Sequence, residues 1–331
     1  MTFGFQQVIA LPLNNRLVGA QNQTWTLPLP VGAVRVCGLC SQDAINSDDL
    51  AARALELNQN DELTFFGSGF AAEGDAKHAG ERLGGWLRIT SALESLGFDL
   101  GDQTARSGFT PEGLKAFFSL GENEFFTSDV HGLITYDEHG SAKRPRMRMH
   151  TAIPLVVVSL PSEKVLAKLR FVAERVGDIP DKVTLSCNLL SSVPHLAQSD
   201  AKFLTLMYAL EALAPPTSRK DEGRRWVESA IADLKTQTDW LDTSDQDSLL
   251  GAMSTLLKKS IKVSLIDHAR SSHARPEESE ALIRKAYKLR NERVHPRGPL
   301  SPLDEIVQSL TLFIQESLAN VLDLEFPLRE S

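Results

Sequence analysis

Residues 286–298 read AYKLRNERVHPRG, a helical pattern that ends in Arg-Asn-x-x-x-His and is stopped by Pro296 and Gly298. Placed on a helix at about 100° per residue, Ile283, Tyr287 and Val294 share one face, and Arg290 lies in the same stripe. A guanidinium keeps its charge, so within an apolar stripe it must meet an acid, a phosphate or an opening to water. Asn291 and His295 are four residues apart and share the neighbouring face. The spacing therefore converges three polar side chains near the C-terminal end of one helix and leaves His295 at an edge.

Moving outward, the chain from 196 to 325 reads as an all-α bundle of five helices. Ser199 or Asp200 is placed to cap the first, whose core face is Phe203, Met207, Leu210 and Leu213 and which Pro215-Pro216 ends. The second covers about 219–237. The third starts near Ser244 and carries Leu249, Leu250, Met253, Leu256 and Leu257. Pro276 opens the fourth, which holds the quoted stretch. Ser301, Pro302 and Asp304 make a capping-box-like start for the fifth, with Ile306, Leu310, Phe313, Ile314, Val321 and Leu322 inside.

Residues 1–195 have a different texture, that of an α+β domain with mixed strands and helices. TWTLPLP, AVRVCGLC and ELTFFGSGFA look like strands bounded by Gly, Pro and Asn. Residues 74–97 carry a helical stripe of Ala79, Leu83, Trp86, Leu87, Leu93 and Leu96, with Gly97 as a stop. Thr110-Pro111 reads as a helix start, HGLITYDEHGSAKRPRMRMH as a hairpin turning at His139-Gly140, IPLVVVSL as a buried strand and 161–176 as another helix. SSVPHLAQS, 191–199, reads as the linker.

Bulk properties bound the function. The chain has 331 residues, 42% hydrophobic and 24% charged, with a net charge of −8. That composition is globular, and an acidic whole means that a nucleic-acid site must be a local basic patch. MTFGFQQVIALPLNNRL has no basic start leading into a long apolar core, so no signal peptide is expected. The apolar runs are too short to span a bilayer. Three cysteines without a secretory signal point to the reducing cytoplasm.

The trio suits phosphodiester chemistry. An imidazole with a reference pKa of about 6.5 takes and gives protons near neutrality, and a guanidinium fork matches phosphate oxygens. Beside RNA, whose 2′-OH is a built-in nucleophile, histidine and arginine suffice without a metal or another cofactor. Arg284, Lys285, Lys288, Arg293 and Arg297 surround the trio with only Glu292 between them, a local cluster able to recruit a polyanion.

The same residues carry a resemblance. YKLRNERVHPRG resembles the Arg-x4-His signature of the HEPN superfamily, with Asn directly after the Arg. DAKFLTLMYALEALAP, 200–215, is similar to the first helix of the Apea-like HEPN branch. The resemblance covers about residues 196–324. SLGFDLGDQ and SDVHGLITYDEHG are similar to segments that precede this domain in some bacterial proteins of unknown role. The resemblance implies a helical bundle that forms a homodimer, pairing two motifs in one composite cleft. It also implies a metal-independent endoribonuclease, often a toxin or an antiviral defence protein. By position, Arg290 would hold phosphate, His295 would be the acid/base and Asn291 would support them. The N-terminal half would sense a signal or regulatory partner, choose the substrate or restrain the nuclease.

Other readings stand beside this one. A helix-terminal histidine often only meets the last carbonyls, and the bundle could bind RNA or nucleotide, or fix a dimer, without turnover. A third alternative is a structural regulator whose N-terminal half carries the activity. Arg144, Arg146 and Arg148 alternate with Met147 and Met149 in an edge-strand pattern, either a second RNA contact or a solvated face. Cys37-x-x-Cys40 lacks matching partners for zinc. Gly67, Gly69 and Gly74 fit close packing or a tight turn rather than a phosphate loop. His268 and His273 read as surface histidines.

Overall fold

The first strand is built from Phe3–Ala10, a stretch for which the pattern names no element. The computed structural model describes residues 2–10, 15–18, 24–27, 34–37, 62–101, 132–137, 158–214, 216–236, 242–273, 275–294 and 302–324. These residues are mostly helical, with small sheets, and the chain divides into two compact units, Met1–Ala197 and Gln198–Ser331.

In the first unit the strands are β1 (Phe3–Ala10), β2 (Asn15–Val18), β3 (Thr24–Leu27), β4 (Val34–Cys37), β5 (Glu62–Phe70), β6 (Gly132–Asp137) and β7 (Val158–Pro161). The helices are α1 (Glu73–Glu94), α2 (Ser162–Arg175) and α3 (Asp181–Ser192). β1 is the centre of an antiparallel sheet of order β5-β1-β6. β3 pairs antiparallel with β4, and β2 runs parallel to β7.

Period-two alternation puts Phe5, Gln7 and Ile9 on the buried face of β1. Gln7 occupies a slot that the pattern reserves for an apolar residue, and its Nε2 donates to the Leu100 carbonyl at 3.2 Å. Phe5 pairs in register with Gly67 on β5. A Cβ at Gly67 would sit 2.1 Å from the Phe5 ring, so the glycine there is a packing requirement.

Helix α1 packs on β1, β5 and β6 on one side and on α2 and α3 on another. It is consequently buried almost all round, from Ala76 to Leu93. Trp86 is fully buried, and its indole N–H donates to the Val176 carbonyl at 3.0 Å. The helix ends on Ser95, which adopts φ of 53°, two residues before Gly97.

The expected linker is ordered structure. Ser191 and Ser192 end α3, Val193–His195 form a 3-10 turn with Val193 buried, and His195 Nε2 lies 2.7 Å from the Gly97 carbonyl. β6 matches the first arm of the expected hairpin but pairs with β1. Its second arm, with Arg144, Arg146 and Arg148, lies outside the described residues, as does Thr110-Pro111.

In the second unit the described helices are α4 (Ser199–Leu213), α5 (Asp221–Thr236), α6 (Thr243–Thr255), α7 (Ile261–Ser272), α8 (Pro276–Val294) and α9 (Asp304–Val321). One more helix is present than the sequence pattern names: α7, capped by Ser260, whose Oγ accepts from the Val263 N–H. Helices α4, α7, α8 and α9 each touch the other three and enclose a core of Phe203, Met207, Leu265, Ile283, Leu310 and Phe313.

Helices α5 and α6 form a hairpin closed at its base by a bridge between Ser218 and Lys258. The expected apolar face of α6 is not buried; Leu249 and Leu256 stay 42% and 44% exposed. Capping also departs from expectation. Gln198 stands at the N-cap of α4 without a side-chain bond, and α6 is capped by Asp242. Ser199 instead donates to Asp304 Oδ1 at 2.7 Å, tying the start of α4 to the start of α9. Leu303 is the N-cap of α9, without a side-chain bond, and Ser301 lies outside the described residues. No described helix is long and apolar enough to cross a membrane.

Candidate functional site

Helix α8 buries Ser279, Ile283, Ala286 and Leu289, a stripe of three- and four-residue steps that continues to Arg290. The acid that the arginine requires is Glu211, in the last turn of α4. Arg290 Nε lies 3.4 Å from Glu211 Oε1, with the two side chains 23% and 16% exposed. The guanidinium carbon also stands 5.6 Å from the centre of the Tyr287 ring.

The carboxylate oxygen on this pair is buried and accepts no aligned hydrogen bond. The contact is therefore one of charge facing charge rather than a closed fork. Burial pushes the Glu211 pKa up, and Arg290 opposes that shift. Glu211 lies outside the Arg-Asn-x-x-x-His stretch. Its signal was a single acid in the otherwise apolar run LTLMYALEAL, which cannot be buried without a cation.

Asn291 is exposed on the turn beside Arg290. His295 follows Val294 directly in the chain and, with Arg297, lies outside the described residues.

The basic cluster around the trio is largely paired within the chain. Arg284 meets Glu280 one turn earlier at 2.6 Å, and Glu280 also receives Arg270 from α7 at 2.6 Å. Hydrogen bonds from Arg270 and then Arg284 hold the Glu280 carboxyl below the usual range. Arg293 is only 6% exposed and binds Asp200 Oδ1 at 2.5 Å. Arg290 and Arg293 thus reach opposite ends of α4.

Lys288 stands 4.0 Å from Glu292, an exposed pair of little energetic consequence. Lys285 is exposed. The one-acid count made along the sequence misses Glu280, Asp200 and Glu211, because helical spacing and tertiary packing bring them in from outside the quoted stretch.

Another expectation changes. His273 is not a surface residue: its side chain is 2% exposed. The chain leaving α7 turns it against α9, where it stacks on Phe313 at 3.9 Å and lies 3.1 Å from Glu316 through Nδ1 and 2.8 Å from Ser317 Oγ through Nε2. Serine, histidine and glutamate in this order resemble a hydrolase relay, but Ser317 is fully buried and no substrate can reach it. The cluster locks α7 to α9. Burial lowers the His273 pKa more than Glu316 raises it.

The glycines before α1 separate by role. Gly67 is packed under Phe5, Gly69 takes a left-handed φ of 85°, and Gly74 faces open space. Cys37 ends β4 and Cys40 lies outside the described residues. Cys187 is buried, and desolvation pushes its pKa up to about 12. Among the described residues no cluster of three or more His, Cys, Asp or Glu side chains is placed to hold a metal. Comparison with protein-family models, with curated proteins and with solved structures found no match.

Proposed function

We propose that the C-terminal unit is a metal-independent endoribonuclease of the HEPN type, acting as a homodimer in toxin or antiviral defence. One observation carries the reading. At the end of α8 a partly exposed Arg290 faces Glu211 without an aligned hydrogen bond, exposed Asn291 is its neighbour in the chain, and His295 follows four residues later. A phosphate can take the guanidinium's open donors where a closed carboxylate fork would exclude it.

In the proposed reaction the ribose 2′-oxygen attacks phosphorus and its proton passes to a base. The bond from phosphorus to the 5′-oxygen breaks, and that oxygen receives a proton. The products are a 2′,3′-cyclic phosphate and a 5′-hydroxyl. His295 moves the protons, Arg290 stabilises the phosphorane charge and Asn291 positions the substrate. General acid–base help contributes about 10²–10⁴-fold and an aimed charge donor about 10²–10³-fold. The N-terminal unit selects the substrate or restrains the nuclease.

The test is incubation of RNA with the full chain and a chelator. Cyclic-phosphate ends are expected, with cleavage abolished by 2′-O-methylation at the cut site. A second reading has its own support: Arg290 and Arg293 each face a carboxylate of the same chain, so neither needs a phosphate to offset its charge. Retained RNA binding with no cleavage by the wild type would select it.

A further inference from the structure

In the first unit, a cavity of about 200 Å³ lies between α1 and the sheet, lined by Gln7 of β1, Leu133 of β6, Leu100, and Gly84, Glu81 and Arg88 of α1. Arg88 is half-buried, and no hydrogen bond or ion pair joins it to another described residue. Arg290 and Arg293, likewise set against a core, each have a carboxylate.

The absence of a Cβ at Gly84 leaves the space over which these groups converge. A Cβ there would stand 3.8 Å from both Arg88 Nη1 and Gln7 Oε1, and 4.0 Å from Leu100 Cδ2. Burial lowers the Arg88 pKa, yet a guanidinium remains charged at pH 7. The neighbouring Cys187 thiol, with its pKa about 12, supplies no counter-charge. Glu81 at the rim is exposed and lies 4.0 Å from Lys77.

We propose that this cavity binds a small oxyanion, a phosphate or carboxylate group, on the Arg88 guanidinium. A buried cation without an acid needs an anion to offset its desolvation, and the guanidinium fork fits both oxyanions. The size restricts the ligand. The space is below the ~300 Å³ at which pockets for drug-sized molecules begin, and it takes a phosphate with a short carbon chain. The walls contributed by Leu100 and Leu133 suit such a chain.

The site is independent of the RNA reading, and its test separates the two. Calorimetric titration of the full-length protein with inorganic phosphate and with acetate, against sodium chloride at matched ionic strength, should give binding for at least one oxyanion. Arg88→Gln should weaken that binding about tenfold or more. Gly84→Leu, which keeps the charge and extends a side chain into the cavity, should do the same, so either variant that retains the wild-type circular dichroism decides the matter. Lys182→Ala, an exposed cation at the start of α3, should bind as the wild type does. Titrations indistinguishable from chloride, binding unchanged in the folded Arg88 or Gly84 variant, or binding lost in Lys182→Ala would overturn the proposal.

Discussion

At the scale of single residues, the Glu211–Arg290 pair is asymmetric, because one partner can lose its charge and the other cannot. Glu211→Ala leaves a permanent cation, and we expect a cost of about 1–3 kcal/mol at pH 7, below the 3–5 kcal/mol of a fully buried pair because both groups keep some solvent. Arg290→Ala leaves a carboxyl whose pKa is already raised and then loses the arginine that opposes the shift. A folded pKa above the unfolded one means that the folded state holds its proton more tightly. Stability then falls as pH rises from about 4.3, the ordinary glutamate value. The Arg290→Ala deficit should therefore be largest at pH 7 and shrink towards pH 5 in urea titrations, and parallel profiles for the two variants would contradict this. His273 carries the opposite sign. Its pKa is depressed, so the unfolded chain binds more protons below about 6.5, and the histidine's contribution is lost as pH falls through that range. The stability difference between wild type and His273→Gln should narrow from pH 7.5 to pH 5.

At the scale of elements, the close approaches are the sensitive points. Gly67→Ala drives a Cβ into the Phe5 ring on the central strand, where overpacking costs about 1–3 kcal/mol; denaturant titration should show it. Gly74→Ala, facing open space at the start of α1, should be neutral or mildly stabilising, since alanine gains up to about 1 kcal/mol of helix propensity. The elements that the sequence hides have specific reasons. β1 carries Gln7 in a buried slot, so its alternation is broken on paper while the amide is satisfied by Leu100 in space. α7 buries Ser264 and exposes Val263, inverting the expected stripe. The buried trace of α1, of α4 and of α9 is strong enough to read directly, because apolar residues at helical spacing outnumber buried polar ones such as Thr90, Ser91, Gln315 and Ser317. Leu249 and Leu256 mislead in the other direction: the α5–α6 hairpin leaves them exposed rather than packed in a core.

At the scale of the whole molecule, the Arg-Asn-x-x-x-His pattern is legible because its residues lie within six consecutive positions of the chain. Its counter-charges were not, since Glu211 and Asp200 lie about 80–90 positions earlier and meet α8 only through the packing of the bundle. The same distinction governs the first unit, where Arg88 looks like any helix-surface arginine until β1, β6 and Leu100 close around it. The proposed enzyme also requires two chains, and light scattering of the purified protein should give about twice the 36.4 kDa chain mass. Residual monomer should gain activity with concentration. The most direct measurement is the rate of RNA cleavage by the purified full chain in excess chelator, beside the Arg290→Ala and His295→Ala proteins. The account predicts cyclic-phosphate products from the wild type and losses of about 100-fold or more in each variant. Wild-type rates in both variants, or an inert wild-type dimer, would contradict it.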